Sequence, residues 1–129
     1  METPKTGYRE KPFSVPTKRY CQILDLKEDS DLIRKYRKFH SQEEVWPEIR
    51  EGIRSIGILE MEIYLLKNRL VMIVETPLDF DWDEAFSQLA RLPKQQEWEE
   101  QMAVFQDAEP GAASDKKWQL MERIFRLYE

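Results

Sequence analysis

Apolar positions along this chain change period several times, and each change marks an element. From Arg19 to Leu26 the run RYCQILDL alternates, with Tyr20, Gln22 and Leu24 on one side and Cys21, Ile23 and Asp25 on the other, the period-two pattern of a strand. Neither side is cleanly polar, so both faces are expected to be covered. Leu32, Ile33, Tyr36, Phe39 and His40 then recur three and four apart behind Asp29, Ser30 and Asp31. That spacing predicts a helix capped at its start by one of those polar side chains and ending near His40. In SQEEVWPEIREGIRSIG, Pro47 suits a first helical turn, Glu48 and Glu51 favour the N-terminal end, and Gly57 suits the stop, with Ile49, Ile53 and Ile56 as the buried stripe. Gly52 weakens this helix by about 1 kcal/mol relative to alanine, or lets a neighbour come close.

Two strands follow, ILEMEIYLL and LVMIVE, joined by the polar Lys67-Asn68-Arg69 turn of a hairpin. Leu59, Met61, Ile63 and Leu65 share one face of the first, with Glu60, Glu62 and Tyr64 on the other. The second is apolar on both faces, which places it inside a sheet rather than at its edge. After the Thr76-Pro77 break, DWDEAFSQLARLP predicts a helix with Trp82, Phe86 and Leu89 as its stripe, interrupted by Pro93, and KQQEWEEQMAVF predicts another with Trp98, Met102 and Phe105 on one side. AEPGAASD reads as a loop, and WQLMERIFRL as a final strand.

The order β-α-α-β-β-α-α-β is a ferredoxin-like split βαβ pattern with doubled helices, an α+β fold whose four-stranded antiparallel sheet carries its helices on one face. Such a sheet leaves its other face bare. Tyr20, Leu24, Tyr64, Ile124 and either Leu120 or Met121 are expected to line that face, and a second copy packed sheet against sheet across a two-fold axis covers it most economically.

Residues 1–17 stand apart from this pattern. Pro4, Pro12, Pro16, Gly7 and scattered charges give them the composition of an extended or flexible arm, leaving 18–129 as a single domain. At 129 residues the chain buries a core without staples. A net charge of −5 and a pI near 5.1 weigh against a nucleic-acid partner, which needs a basic face. Cys21 is the only cysteine, so no intramolecular disulfide forms, and the composition fits a reducing compartment, by default the cytoplasm. No apolar run reaches the length of a membrane span, and the N-terminus lacks the apolar stretch of a signal peptide.

The one histidine, His40, concentrates the candidate chemistry. On a helix it shares a face with Tyr36, about 5–6 Å away between Cβ atoms, and an imidazole is the side chain that exchanges protons near neutrality. Surface or capping roles are the alternative for a lone histidine at a helix end. Trp46 and Trp98 lie at element ends suited either to core packing or to stacking against the C–H face of a sugar ring, whereas Trp82 and Trp118 read as core. No nucleotide-binding, zinc-hydrolase or nucleophile-elbow motif occurs, and Glu43 and Glu44 beside His40 read as a solvated face rather than a metal site.

Tyr36 and His40 as YxxxH, Trp46 to Glu48 as WPE, the Ile63-Tyr64-Leu65 strand core, the Val74-Glu75 strand end and Trp98 together resemble the L-rhamnose mutarotases, over residues 19–127. The resemblance implies a dimeric α+β barrel that interconverts the α and β anomers of a 6-deoxy-hexose without cofactor or metal. It implies His40 as proton donor, Tyr36 as a sugar-binding tyrosine, and Trp98 as the first of two adjacent tryptophans in the sugar site. With Trp46, Met61 and Glu99 these make up the expected substrate-binding set. Met61 stands where the rhamnose enzymes place a substrate-contacting tyrosine, and Glu99 where they have the second tryptophan. L-fucose, a second 6-deoxy sugar, is therefore the nearest rival to L-rhamnose. A dimeric α+β barrel oxygenase and a non-catalytic small-molecule-binding protein are the competing classes.

Overall fold

The computed structural model describes residues 5–108 and 114–128. Nine elements succeed one another: β1 (Thr17–Asp25), α1 (Ser30–Phe39), α2 (Pro47–Ser55), β2 (Glu60–Leu66), β3 (Arg69–Pro77), α3 (Trp82–Leu89), α4 (Gln95–Ala103), α5 (Ser114–Lys117) and β4 (Gln119–Leu120). The strands form one antiparallel sheet in the order β2-β3-β1-β4, the strand order of a split βαβ fold. The apolar β3 is central, as its sequence predicts.

Local signals explain most boundaries. Asp29 caps α1, its Oδ1 accepting from the amides of Asp31 and Leu32 at 3.0 and 3.1 Å, and Asp81 does the same for α3 through the Glu84 amide at 3.0 Å. Pro47 opens α2, and Gly57, at φ +101°, takes the left-handed conformation that ends it. A Cβ on Gly52 would lie 3.3 Å from Leu92 Cδ1, so that glycine does admit a close neighbour, the loop after α3. Lys67 and Asn68 alone form the β2–β3 turn, with Lys67 at φ +56°.

Cross-strand pairing sorts the sheet into two faces. Tyr20, Val74 and Met61 align in one row, Gln22, Met72 and Ile63 in the next, and Leu24, Leu70 and Leu65 in a third. These rows meet Tyr36, Ile49, Phe86, Leu89, Trp98 and Met102 of the helices in a single core. Each fully buried aliphatic side chain there contributes about 1.5–3 kcal/mol. The opposite face carries Cys21, Ile73 and Glu62, then Ile23, Val71 and Tyr64, all half-exposed. The sequence-based assignment of Tyr20 and Leu24 to the bare face is therefore corrected: both point at the helices. The reason is Gln22, whose polarity hides the core side of β1 although it is buried and donates to the Trp118 carbonyl at 3.4 Å.

The C-terminal expectation is corrected too. Strand pairing stops at Leu120, and residues 121–127 run on without helix or strand, with Ile124 89% and Phe125 75% exposed. The Met121 amide still donates to the Cys21 carbonyl at 2.8 Å, but beyond it the segment does not continue along β1, although β1 itself runs back to Thr17. Part of the expected loop is helical, since α5 covers Ser114–Lys117, and its middle lies outside the described residues. The arm makes specific contacts with the bare face: Tyr8 meets Tyr64 edge-on at 5.6 Å between ring centroids, and Glu10 lies 3.5 Å from Arg19.

Candidate active site

Between the helical layer and the β2 side of the sheet lies a cavity of about 470 Å³, within the range of small-molecule sites. Its wall includes Tyr36 and His40 from α1, Ile49, Ile53, Arg50 and Arg54 from α2, Met61 and Ile63 from β2, and Gln95, Trp98, Glu99 and Met102 from α4. Five of the six residues singled out from sequence thus converge on one hollow. Trp46 is the exception: it is not in the wall, and its ring meets that of Trp98 edge-on at 5.2 Å, buttressing the indole from behind.

α1 sets the geometry of its pair. Residues four apart stack along one helix face, and the Tyr36 and His40 rings lie 4.2 Å apart between centroids. His40 Nδ1 is 2.8 Å from the Tyr36 carbonyl oxygen. That oxygen can only accept, so Nδ1 carries the hydrogen and Nε2 is left with its lone pair in the neutral ring. Trp98 closes another side at 5.4 Å, edge to face. Burial holds the imidazole below its usual pKa, partly opposed by the bond to the Tyr36 carbonyl. His40 is therefore neutral at physiological pH. Burial raises the Tyr36 hydroxyl far above the ordinary phenol range, so it stays protonated and remains a donor.

The far wall is polar: Gln95 and Gln106 are buried in it, and Glu99 Oε1 accepts from Gln95 Nε2 at 2.8 Å. Helical spacing gives a signal for Gln95 with Glu99. Nothing local in the sequence announces Gln106, which enters the wall from the segment after α4, or Lys117 of α5, which is buried and bonds Glu99 and Gln106 without itself lining the cavity. Trp82 packs on Tyr20 and Phe86 at 4.4 and 4.3 Å, away from the cavity, while Trp118 is buried and forms part of its floor. Among the described residues, no three histidine, cysteine, aspartate or glutamate side chains gather as a metal site.

A four-stranded split βαβ sheet with an imidazole-bearing cavity between it and the helical layer fits a small-molecule enzyme of the α+β class. The family description "L-rhamnose mutarotase" matches residues 19–127, and the chain belongs to that family. It is accordingly a mutarotase, an isomerase of sugars. An L-fucose mutarotase from Xanthomonas campestris pv. campestris is 40% identical over 111 residues, covering 86% of this chain and 89% of the relative. A UPF0734 protein from Dictyostelium discoideum is 43% identical over 118 residues, 88% of this chain and 93% of that one. The crystal structure of an L-rhamnose mutarotase from Formosa agariphila superposes with a TM-score of 0.63 at 19% identity, over 85% of this chain and 98% of the other, which confirms the fold.

Proposed function

We propose that the chain interconverts the α and β anomers of a 6-deoxy-hexose in this cavity, with His40 as the proton-transferring group. The observation that carries the reading is the fixed tautomer of His40, whose Nδ1 is bound to the Tyr36 carbonyl and whose Nε2 is the polar atom left for a ligand. Mutarotation needs no more than acid–base help. The neutral imidazole takes the proton of the anomeric hydroxyl as C1–O1 becomes a carbonyl and the bond from C1 to the ring oxygen breaks. The same proton, delivered to the former ring oxygen, completes the open aldehyde. Rotation about C1–C2 and reversal of these steps give the other anomer, with no net proton consumed and no covalent enzyme intermediate. Help of this kind contributes about 10²–10⁴-fold.

Tyr36, kept protonated by burial, donates a hydrogen bond to the sugar, and the Trp98 indole offers it a flat apolar wall. Met61 and Ile63 suit the 6-methyl group. Glu99 accepts from a ring hydroxyl. With methionine and glutamate at positions 61 and 99 and a 40% identical relative named as an L-fucose mutarotase, L-fucose leads L-rhamnose as substrate. Saturation transfer between the anomer signals of free L-fucose, L-rhamnose and a D-sugar control tests the reading. Accelerated exchange of a 6-deoxy-L-sugar is expected; no acceleration of any sugar returns the chain to the non-catalytic binding class.

The working unit in this reading is a homodimer in the cytoplasm. Half-exposed Ile23, Val71, Ile73 and Tyr64 on the outer sheet face, together with the exposed side chains of Leu120, Met121, Ile124, Phe125, Leu127 and Tyr128, support a sheet-to-sheet partner. No helix among the described residues is long and apolar enough to cross a membrane.

A further inference from the structure

Among the described residues, Lys117 is the one charged residue in the buried set. Its side chain is 1% exposed, and its three ammonium hydrogens meet three acceptors: Glu99 Oε2 at 2.9 Å, the Glu99 main-chain oxygen at 3.2 Å and Gln106 Oε1 at 2.9 Å. Replacing a buried ion pair with packed apolar groups is often neutral or stabilising, so stability alone does not account for a lysine here. Its effects converge on the cavity wall. Glu99 is held at both oxygens, by Lys117 and by Gln95. Gln106, with its oxygen committed to Lys117, has only its amide nitrogen to offer the Tyr36 hydroxyl, and its influence there lowers the phenol's proton affinity against the larger effect of burial. A phenol oxygen that receives an amide hydrogen from Gln106 keeps its own hydrogen to donate into the cavity.

We infer that Lys117 is a positioning residue of the sugar site, one cation that fixes Glu99 as an acceptor for a sugar hydroxyl and, through Gln106, fixes Tyr36 as a donor to another. The inference rests on the mutarotase reading and deepens it by naming what sets sugar selectivity. L-Fucose and L-rhamnose differ in configuration at C2 and C4, so a wall with one immobile acceptor and one immobile donor ranks them by where those hydroxyls point. A carboxylate free to rotate would not.

Anomer-exchange kinetics on both sugars, with Lys117→Met, Glu99→Gln and the double variant, test this. Lys117→Met should lower kcat/KM for the preferred sugar by about 10-fold or more and narrow the ratio between the two sugars. In the Glu99→Gln background the same change should cost little further, because both act through one carboxylate. The split between the two sugars gives a readout that a merely structural lysine would not move: the KM values for L-fucose and L-rhamnose should converge in Lys117→Met while kcat changes less. Effects that multiply in the double variant, or a folded Lys117→Met with wild-type selectivity between the two sugars, overturn the inference. If Lys117→Met does not fold, Gln106→Leu carries the test by cutting the branch to Tyr36, and an unchanged KM overturns it equally. A wild type that exchanges neither sugar overturns the mutarotase reading and this inference with it, whereas an active wild type beside an indifferent variant removes the inference alone.

Discussion

His40 combines burial with a carbonyl on Nδ1, and both properties have measurable consequences. The fold disfavours its protonated form, so below an unfolded-state pKa of about 6.5 the unfolded chain binds more protons at this residue than the native one does. Unfolding free energy from this group therefore rises with pH through the window just below 6.5 and is level above it. Anomer exchange should follow the same sign, keeping its full rate at and above about pH 6.5 and declining below as Nε2 is protonated. His40→Asn should keep the fold and much of the sugar binding while exchange falls by about 10²-fold or more. A folded variant exchanging at the wild-type rate would falsify the assignment. Tyr36→Phe should instead raise KM more than it lowers kcat, since its part is contact. At positions 61 and 99, the double change Met61→Tyr with Glu99→Trp should move preference toward L-rhamnose, because leaving a buried polar group unpaired costs roughly 1–3 kcal/mol; an unchanged ranking of sugars shows that these positions do not choose the substrate.

Among the elements, α1 and α2 owe their ends to single side chains, and those ends place the site. Removing the Asp29 cap with alanine should cost about 0.5–2 kcal/mol in a chemical melt and loosen the helix that presents Tyr36 and His40. The two glycines of the α2 region, Gly52 inside the helix and Gly57 just past it, respond in opposite ways. At Gly57, φ is +101°, so alanine there should destabilise by about 1 kcal/mol or more. At Gly52 the backbone is helical, and the obstacle to a Cβ is the end of the Leu92 side chain at 3.3 Å. The gain of up to about 1 kcal/mol in helix propensity should outweigh that small shift, so Gly52→Ala raises the melting temperature. A lowered value there would mean that Leu92 cannot yield.

At the scale of the molecule, the helices cover only one side of the sheet, and eight residues after β4 remain in extended, exposed chain, among them Ile124, Phe125, Leu127 and Tyr128. Sedimentation should give about twice the 15.6 kDa chain mass. Changing Ile124 and Phe125 together to aspartate should shift the population to monomer, because burying an unpaired charge in an apolar interface is costly. A wild type that stays monomeric at high concentration removes the dimer proposal and leaves Tyr8 over Tyr64 as the outer face's own partial cover.

Most element types, their order and the grouping of Tyr36, His40, Trp98, Met61 and Glu99 around one cavity were legible in the sequence, because period, caps and turn residues are local properties and because the family pattern spans nearly the whole chain. Tertiary structure decided what locality cannot. Gln22 is polar yet faces the core, since the Trp118 carbonyl reaches it from β4's side, and that contact sets which face of β1 is inside. Trp46 lies behind Trp98 rather than at the ligand wall, a matter of where α2 begins relative to α4. The apolar alternation after Leu120 does not extend β4, since past the Met121 amide the chain stops pairing with β1 although that strand runs back to Thr17. Lys117 and Gln106 join the site from segments far along the chain, and a buried ammonium or amide acquires its meaning only from partners that folding brings within hydrogen-bonding distance.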